Sequence, residues 1–447
     1  MHPQAGWQIA GRYAEALLKD LGVSRSVSGE RELHPAQRWA RCGGLALTGY
    51  PTAAQMCPVP LASYADGVVR ALRTLCPDAP LDTLDGAQLL GERAALYGYQ
   101  RGGDVAPGGG CRLLATADGW LAVNLSRPAD WELLPAWLED GALTDWPAVA
   151  TALRRQSTLP CIARGRLLGL ALAPLARAPP PPVPWYREHL RSSAAPVPRG
   201  AVPVVVDLSA LWAGPLCTQL LQMMGARVIK VESSRRPDGM RSAATGFFDL
   251  LNAGKTSVVL DFSEPGGREA LRRLLLRADI IVEASRPRAL RQLGVRAEDI
   301  VRENPGATWL SICGYGREDP AAQWVAFGDD AAVAGGLSQV LWDCSGRPMF
   351  CADAIADPLT GLHAALAAWW SFTHGGGRLL AVALRDVIAF GIHFSAAGDA
   401  AENRARAEAW SAAITGAEVA PPRARVLSGA ARTLGADTHA VLATLPG

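Results

Sequence analysis

The stretch Val204-Val-Val-Asp-Leu-Ser-Ala-Leu-Trp-Ala-Gly-Pro-Leu-Cys-Thr-Gln-Leu-Leu-Gln-Met-Met-Gly-Ala-Arg-Val-Ile-Lys-Val-Glu232 decides the fold. Its three consecutive valines are what a strand buried on both faces requires. Cys217 to Met224 reads as a helix and Arg227 to Glu232 as a second strand. The alternation continues through a strand at Thr256–Phe262, a helix at Gly266–Arg277, and strands at Asp279–Glu283 and Thr308–Cys313. This pattern predicts an α/β fold built on a doubly wound parallel sheet, Rossmann-like, with right-handed crossovers. The first turn, Ser209 to Pro215, is not GxGxxG, so no dinucleotide fingerprint is present. Glu232 stands where a ribose-binding acid would in such a fold, but without the glycines that accompany that role.

Working upstream, residues 176–203 contain Pro179 to Pro182, Pro184, Pro196 and Pro198. That density opposes helix and strand alike, and predicts a linker over 179–202. Before it, Cys111–Ala115 and Trp120–Leu125 form a hairpin turned at Ala117-Asp-Gly119. Short helices are expected at Trp131–Leu138 and Ala148–Arg155. With the glycine-rich loop ending Pro107-Gly-Gly-Gly110, they make a small α+β domain over 101–178, placed N-terminal to the sheet. Residues 1–100 read as a helical segment, starting with Trp7–Leu21, where Ile9, Tyr13, Ala16, Leu17 and Leu21 recur near the helical period. The large domain spans 203–390, and a tail over 391–447 packs back on it.

Of the 447 residues 49% are hydrophobic, enough for a sizeable core, and the net charge is +2. That balance gives no electrostatic case for nucleic acid or an anionic membrane surface. The nine cysteines contain no CxxC pair and the seven histidines show no metal-ligand spacing, so reduced thiols and no metal are expected. Met1-His-Pro-Gln-Ala-Gly6 lacks a signal-peptide pattern, and no apolar run reaches membrane-spanning length. A soluble cytoplasmic protein is expected.

Chemistry concentrates in Ala352-Asp-Ala-Ile-Ala-Asp-Pro-Leu-Thr-Gly-Leu-His-Ala-Ala-Leu366, where Asp353 and Asp357 stand in apolar surroundings. A carboxylate just before a buried helix feels the positive end of the helix dipole, which favours its ionised form. Such an Asp can act as a nucleophile towards an acyl group. It can equally be a helix cap. Gly108, Gly109 and Gly110 let a backbone approach a ligand and aim N–H groups at an oxyanion, or simply form a flexible turn. His363, on a helix rich in Ala and Leu, reads as a satisfied core histidine.

An internal echo is also visible. Cys42-Gly-Gly-Leu45 runs to Pro60-Leu-Ala-Ser63 and Gly67, as Ala334-Gly-Gly-Leu337 runs to Ala354-Ile-Ala-Asp357 and Gly361. Aligning Gly67 with Gly361 sets Ser63 opposite Asp357. Chance similarity of two Gly/Ala-rich stretches is the alternative.

Val206 to Gln219 and Met224 to Glu232 closely resemble the opening of family III CoA-transferases, a group related to α-methylacyl-CoA racemase. The likeness continues through Leu251-Asn-Ala-Gly-Lys-Thr-Ser-Val-Val-Leu-Asp261, Val282-Glu283, Gly314-Tyr-Gly316, Ala356-Asp357, Gly361 and Val382-Ala-Leu-Arg-Asp386. It implies acyl-CoA:carboxylate CoA transfer, with Asp357 as the nucleophile carrying acyl and CoA in turn, and Gly108 to Gly110 as the active-site loop. It implies coenzyme A, entering as acyl-CoA, held near Trp212, Ala213, Arg235, Arg236, Leu260, Asp261, Arg286 and Arg291. A small carboxylic acid acceptor and a homodimer follow from the same likeness. In the family the small domain follows the nucleophile; here it precedes the sheet, so the chain looks permuted or fused, with a degenerate N-terminal copy. Ser233, Ser263, Ala284 and Ser285 stand where family members often carry CoA contacts, and Arg235, Arg286 or Arg291 would compensate. Ala326 to Asp330 lacks the histidine of the racemase branch, although Asp329 or Asp330 could serve as an acid. An isomerase or lyase using Asp357 as a base, and a non-catalytic acyl-CoA-binding protein, are the alternatives.

Overall fold

The computed structural model describes residues 8–445 apart from 28, 142, 177–180, 195–199, 244–245, 398 and 417–418. The chain opens with helices α1 (Ile9–Asp20), α2 (Pro35–Arg41), α3 (Leu61–Leu75) and α4 (Glu92–Tyr97). A three-stranded antiparallel sheet follows, β1 (Cys111–Ala115), β2 (Trp120–Asn124) and β3 (Ala171–Pro174), in that order. Then comes the seven-stranded sheet, built from β4 (Arg187–Arg191), β5 (Val204–Asp207), β6 (Arg227–Ser233), β7 (Thr256–Leu260), β8 (Ile280–Glu283), β9 (Thr308–Cys313) and β10 (Arg378–Ala383). Its order is β4-β10-β9-β8-β5-β6-β7. All neighbours run parallel except β4, which is antiparallel to β10.

The sheet is covered on both faces, as the all-apolar strands demand. Val205, Ile280 and Val282 pack into one core with the N-terminal helices, while Val206, Ile281 and Trp309 pack into a second core on the opposite face. Each such side chain, fully buried, contributes about 1.5–3 kcal/mol. The first core is continuous from Ile9 to Trp410, so helices α1 to α4 are part of the large body. The small sheet faces its own helices through Leu121, Val123 and Trp137. Its other face meets Val333 and Phe350.

One expectation needs correction. The proline-rich segment is not linker throughout, because β4 lies inside 179–202. Arg187 to Arg191 is free of proline, and an antiparallel edge position asks least of a strand flanked by it. Pro179, Pro180, Pro196 and Pro198 lie outside the described residues. At the opposite edge, the tail covers β7: Ser257 N–H donates to Asp437 (2.9 Å) and Val259 N–H to Thr438 Oγ1 (2.9 Å). Covering an edge this way removes a template for unwanted strand pairing.

Two helices position the site. Helix α5 (Ala213–Met223) leaves the end of β5, where Lys255 Nζ binds Asp207 (3.1 Å), Thr218 (2.7 Å) and the Pro215 carbonyl (3.0 Å). Lys255 and Lys230 hold the Asp207 carboxyl well below its ordinary range in spite of burial. Helix α7 (Ala356–Thr373) lies against α5, and Gly361 permits the approach: a Cβ there would stand 2.6 Å from the Ala213 carbonyl oxygen.

Candidate active site

Asp357 is the second residue of α7, in its first turn. The turn that delivers it is strained. Ala352 and Ala354 have φ of 52° and 42°, a region costly for a residue with a Cβ. Side chains from elsewhere hold that turn: Ala352 N–H donates to Thr48 Oγ1 (3.1 Å) and Ala354 N–H to Asp329 Oδ1 (2.8 Å). Asp329 lies in α6 (Gly328–Ala334). Gly328 has no room for a side chain, since a Cβ would lie 2.3 Å from the Ala354 carbonyl oxygen and 2.7 Å from Asp357 Oδ2.

Between the two strained alanines, Asp353 is fully buried and bound by both arms of Arg93, Nε at 2.8 Å and a terminal nitrogen at 2.6 Å. Arg93 comes from α4 and lies over the rings of Tyr99 (5.8 Å) and Trp212 (5.3 Å). A bidentate guanidinium of this kind fixes both position and plane of the carboxylate. The glycine loop lies over the pair: a Cβ on Gly108 would be 3.3 Å from Arg93 and 3.8 Å from Asp353 Oδ1.

The carboxyl groups of Asp329, Asp353 and Asp357 thus share one crevice with the Arg93 guanidinium, and Asp330 adjoins it through Asp329. Burial pushes Asp357 up to about 7; Arg93 and the Gly328 N–H oppose this, and Asp329 and Asp353 reinforce it. Asp329 is raised as well, by burial first and by the Asp353 charge second. Burial raises Asp330 to about 8, although it accepts from Phe327 N–H (2.9 Å) and Asn124 Nδ2 (3.1 Å); its Oδ2 has no described partner. The helix dipole was expected to keep Asp357 ionised. Burial and two neighbouring carboxylates outweigh it, so Asp357 titrates near neutrality.

The remaining sequence candidates divide. Trp212 and Ala213 are at the crevice, one under Arg93 and the other against Gly361. Gly109 takes a positive φ of 76°, and its N–H donates to the Ala106 carbonyl (2.7 Å), so it is spent on the turn and does not serve an oxyanion. Gly110 abuts Ser126. Burial lowers the Arg286 pKa, and the charges of Arg127, Arg288 and Arg236 lower it further, so Arg236 and Arg286 are electrostatic neighbours. Arg235 instead pairs with Asp261 (3.6 Å) and Arg291 with Glu298 (3.5 Å). Asp261 also holds Ser263 by N–H (2.9 Å) and hydroxyl (2.6 Å), while Leu260 is buried in its strand. Glu232 is occupied by Arg241 (2.9 Å), which leaves no ribose-binding acid there. His363 is the core residue expected, bonded to Tyr13 (2.8 Å) and the Leu359 carbonyl (2.7 Å), with its pKa lowered to about 4 by burial.

Sequence reasoning missed Arg93, Thr48, Asn124 and Arg127. None sits in a motif. Only a buried acid that needs a cation pointed to a missing arginine.

Comparison with known proteins concerns the part of the chain that carries the large sheet and Asp357. Residues 203–419 match CoA-transferase family III. Formyl-CoA:oxalate CoA-transferase of Afipia carboxidovorans is 34% identical over 195 residues, 41% of this chain and 46% of that protein. An enzyme of the same name from Escherichia coli is 30% identical over 195 residues, 41% and 47% respectively. The chain therefore spans about half the length of these curated relatives. A CAIB/BAIF family protein from Brucella suis shares 25% identity over 50% of this chain and 58% of that one, with a TM-score of 0.39. The segment that resembles CoA-transferase family III, residues 203–419, carries the six parallel strands of the large sheet and Asp357.

Proposed function

We propose that the protein is an acyl-CoA:carboxylate CoA-transferase working through covalent intermediates on Asp357. The observation that carries this is a carboxyl group titrating near 7, presented on a strained turn beside a buried Asp353–Arg93 pair, in a family III segment. Ionised Asp357 attacks the thioester carbonyl of the donor, giving an acyl-aspartyl anhydride and CoA thiolate. The thiolate attacks the aspartyl carbonyl, releasing the donor's carboxylate and leaving an aspartyl thioester. The acceptor carboxylate attacks that thioester, and the freed thiolate then takes the new acyl group, regenerating Asp357. Covalent catalysis splits one difficult exchange into easier steps.

The chain's own groups serve these steps. Asp353, locked by Arg93, supports the turn but is too well paired to act as nucleophile. Gly108 covers the crevice and keeps water from the anhydride. Arg236, Arg286 and Arg288, whose charges repel one another, suit the phosphates of coenzyme A, whereas the neighbouring Arg127 is already paired with Asp130. The names of the relatives suggest small donors and acceptors such as formyl-CoA and oxalate. A cytoplasmic location fits a CoA-dependent reaction. The homodimer implied by the family is not needed to complete this crevice, since Arg93 and Gly108 come from the same chain.

A second reading has Asp357 as the base of an acyl-CoA isomerase or lyase, favoured by its near-neutral pKa. Hydroxylamine added during turnover with formyl-CoA and oxalate separates the two. A hydroxamate on the peptide containing Asp357, absent from Asp357→Asn, is expected for transfer. An active enzyme that never yields the adduct would refute covalent transfer and leave proton abstraction.

A further inference from the structure

The sequence echo between the two halves has a three-dimensional counterpart. Helix α1 packs against α3 as α5 packs against α7, and α3 and α7 pack on each other. At the two contacts the same atoms meet. A Cβ on Gly67 would stand 2.7 Å from the Ala10 carbonyl oxygen and 3.2 Å from Tyr13 Cβ. On Gly361 it would stand 2.6 Å from the Ala213 carbonyl oxygen and 3.2 Å from Leu216 Cβ. Helices α2 and α6, of seven residues each, both run into Gly-Gly-Leu. Cys57 and Cys351, at the same interval before Gly67 and Gly361, are in side-chain contact with each other. Residues that touch their own counterparts lie on a two-fold axis. The helical units α1–α3 and α5–α7 are thus related by a quasi-two-fold at Cys57 and Cys351, which chance similarity of sequence alone would not produce.

The two crevices have diverged. In the N-terminal copy Ser63 stands where Asp357 stands, beside a cavity of about 320 Å³. There the Glu32 carboxylate sits on the first N–H groups of α1, Ala10 and Gly11 (2.9 Å each), and on Arg70 (2.7 Å). Both side chains are almost wholly enclosed, Glu32 at 6% and Arg70 at 8% exposure. Arg38 is likewise consumed by Asp66 (2.6 and 2.8 Å) and Asp85. Among the described contacts no carboxylate sits on the corresponding N–H groups of Ala213 and Gly214.

We propose that the N-terminal copy is a built-in second subunit whose own crevice is closed by Glu32, so that the chain carries one acyl-CoA site, at Asp357, completed by Arg93 from the N-terminal segment and by the glycine loop of the small domain. Counting the ligand rests on the reading of Asp357 given above; the closure by Glu32 does not. Two measurements on the full chain test it. In Glu32→Ala the vacated seat should accept a small carboxylate: Tm falls by several degrees, and sodium acetate restores part of the loss beyond what sodium chloride restores at equal ionic strength. Glu32→Gln, which keeps the shape of the side chain, should gain nothing from acetate. If Glu32→Ala does not fold, Glu32→Asp, shorter by one methylene, is read in the same way. An unchanged Tm, or equal effects of acetate and chloride, overturns the closure. Calorimetric titration of the unaltered chain with coenzyme A should give one site per chain, and two would overturn the proposal. No binding at all overturns the acyl-CoA reading of Asp357, and the acetate measurement then decides the closure alone.

Discussion

The crevices at Ser63 and at Asp357 use the same helical scaffold with opposite charge accounting. Around Ser63, Arg38 and Arg70 are each bound to carboxylates, and a glutamate covers the start of α1. Around Asp357, three carboxyl groups face Arg93, and Asp357 and Asp329 are forced above their ordinary range, as is the neighbouring Asp330. A fully paired cluster is stable and inert. An underpaired, water-excluding cluster stores unfavourable charge, and a group in such a place has reactivity to offer. The difference teaches that a site is distinguished less by its fold than by the polar groups left unsatisfied in it.

The sharpest way to break this contrast is to remove one side chain from each crevice. Asp357→Asn should reduce transferase turnover by roughly 10⁴-fold or more, while Ser63→Ala leaves it unchanged, as read by steady-state assay. Next in size, Arg93→Ala strands the fully buried Asp353 without a counter-charge. Breaking a buried pair in this way costs about 3–5 kcal/mol, to be read by denaturant unfolding. Smaller and equal effects are expected from Gly67→Ala and Gly361→Ala. Each wedges a methyl against a helix carbonyl, at about 1–3 kcal/mol; a large cost at one position and none at the other would undo the quasi-two-fold.

The mildest perturbation is pH. Because Asp357 must be ionised to attack, the rate should fall about tenfold per pH unit below an apparent pKa near 7. Stability moves the other way. The unfolded chain releases these protons near pH 4 (about 3.9 for Asp), whereas folded Asp357 and Asp330 keep theirs to about 7 and about 8. The native state therefore binds more protons across that window, and stability falls as pH rises through it. Asp357→Asn should flatten part of that slope in thermal melts taken from pH 4 to 8.

Much of this architecture is legible without coordinates. The valine-rich strands and their spacing announce the parallel sheet, and Asp357 stands out as an acid before an apolar helix. The proline-rich segment misled because composition averages over a stretch: five proline-free residues sufficed for an edge strand. The glycine loop lies beside Asp353 and Arg93, but its sequence does not show the bond that commits Gly109 N–H to Ala106. Arg93 was invisible because its partner lies 260 residues away. No local pattern records a contact at that separation.

By itself, then, the sequence settled what depends on neighbours along the chain: strand and helix periodicity, the two-sided sheet and the echo of Gly67 and Gly361; it offered Asp357 as nucleophile or helix cap. Tertiary structure alone decided the rest: that Arg93 locks Asp353, that Asp357 titrates near 7, and that Glu32 is seated on α1. The reason is physical. A charge's energy is set by how much water is excluded and which other charges come close, and both are fixed only when distant segments pack together.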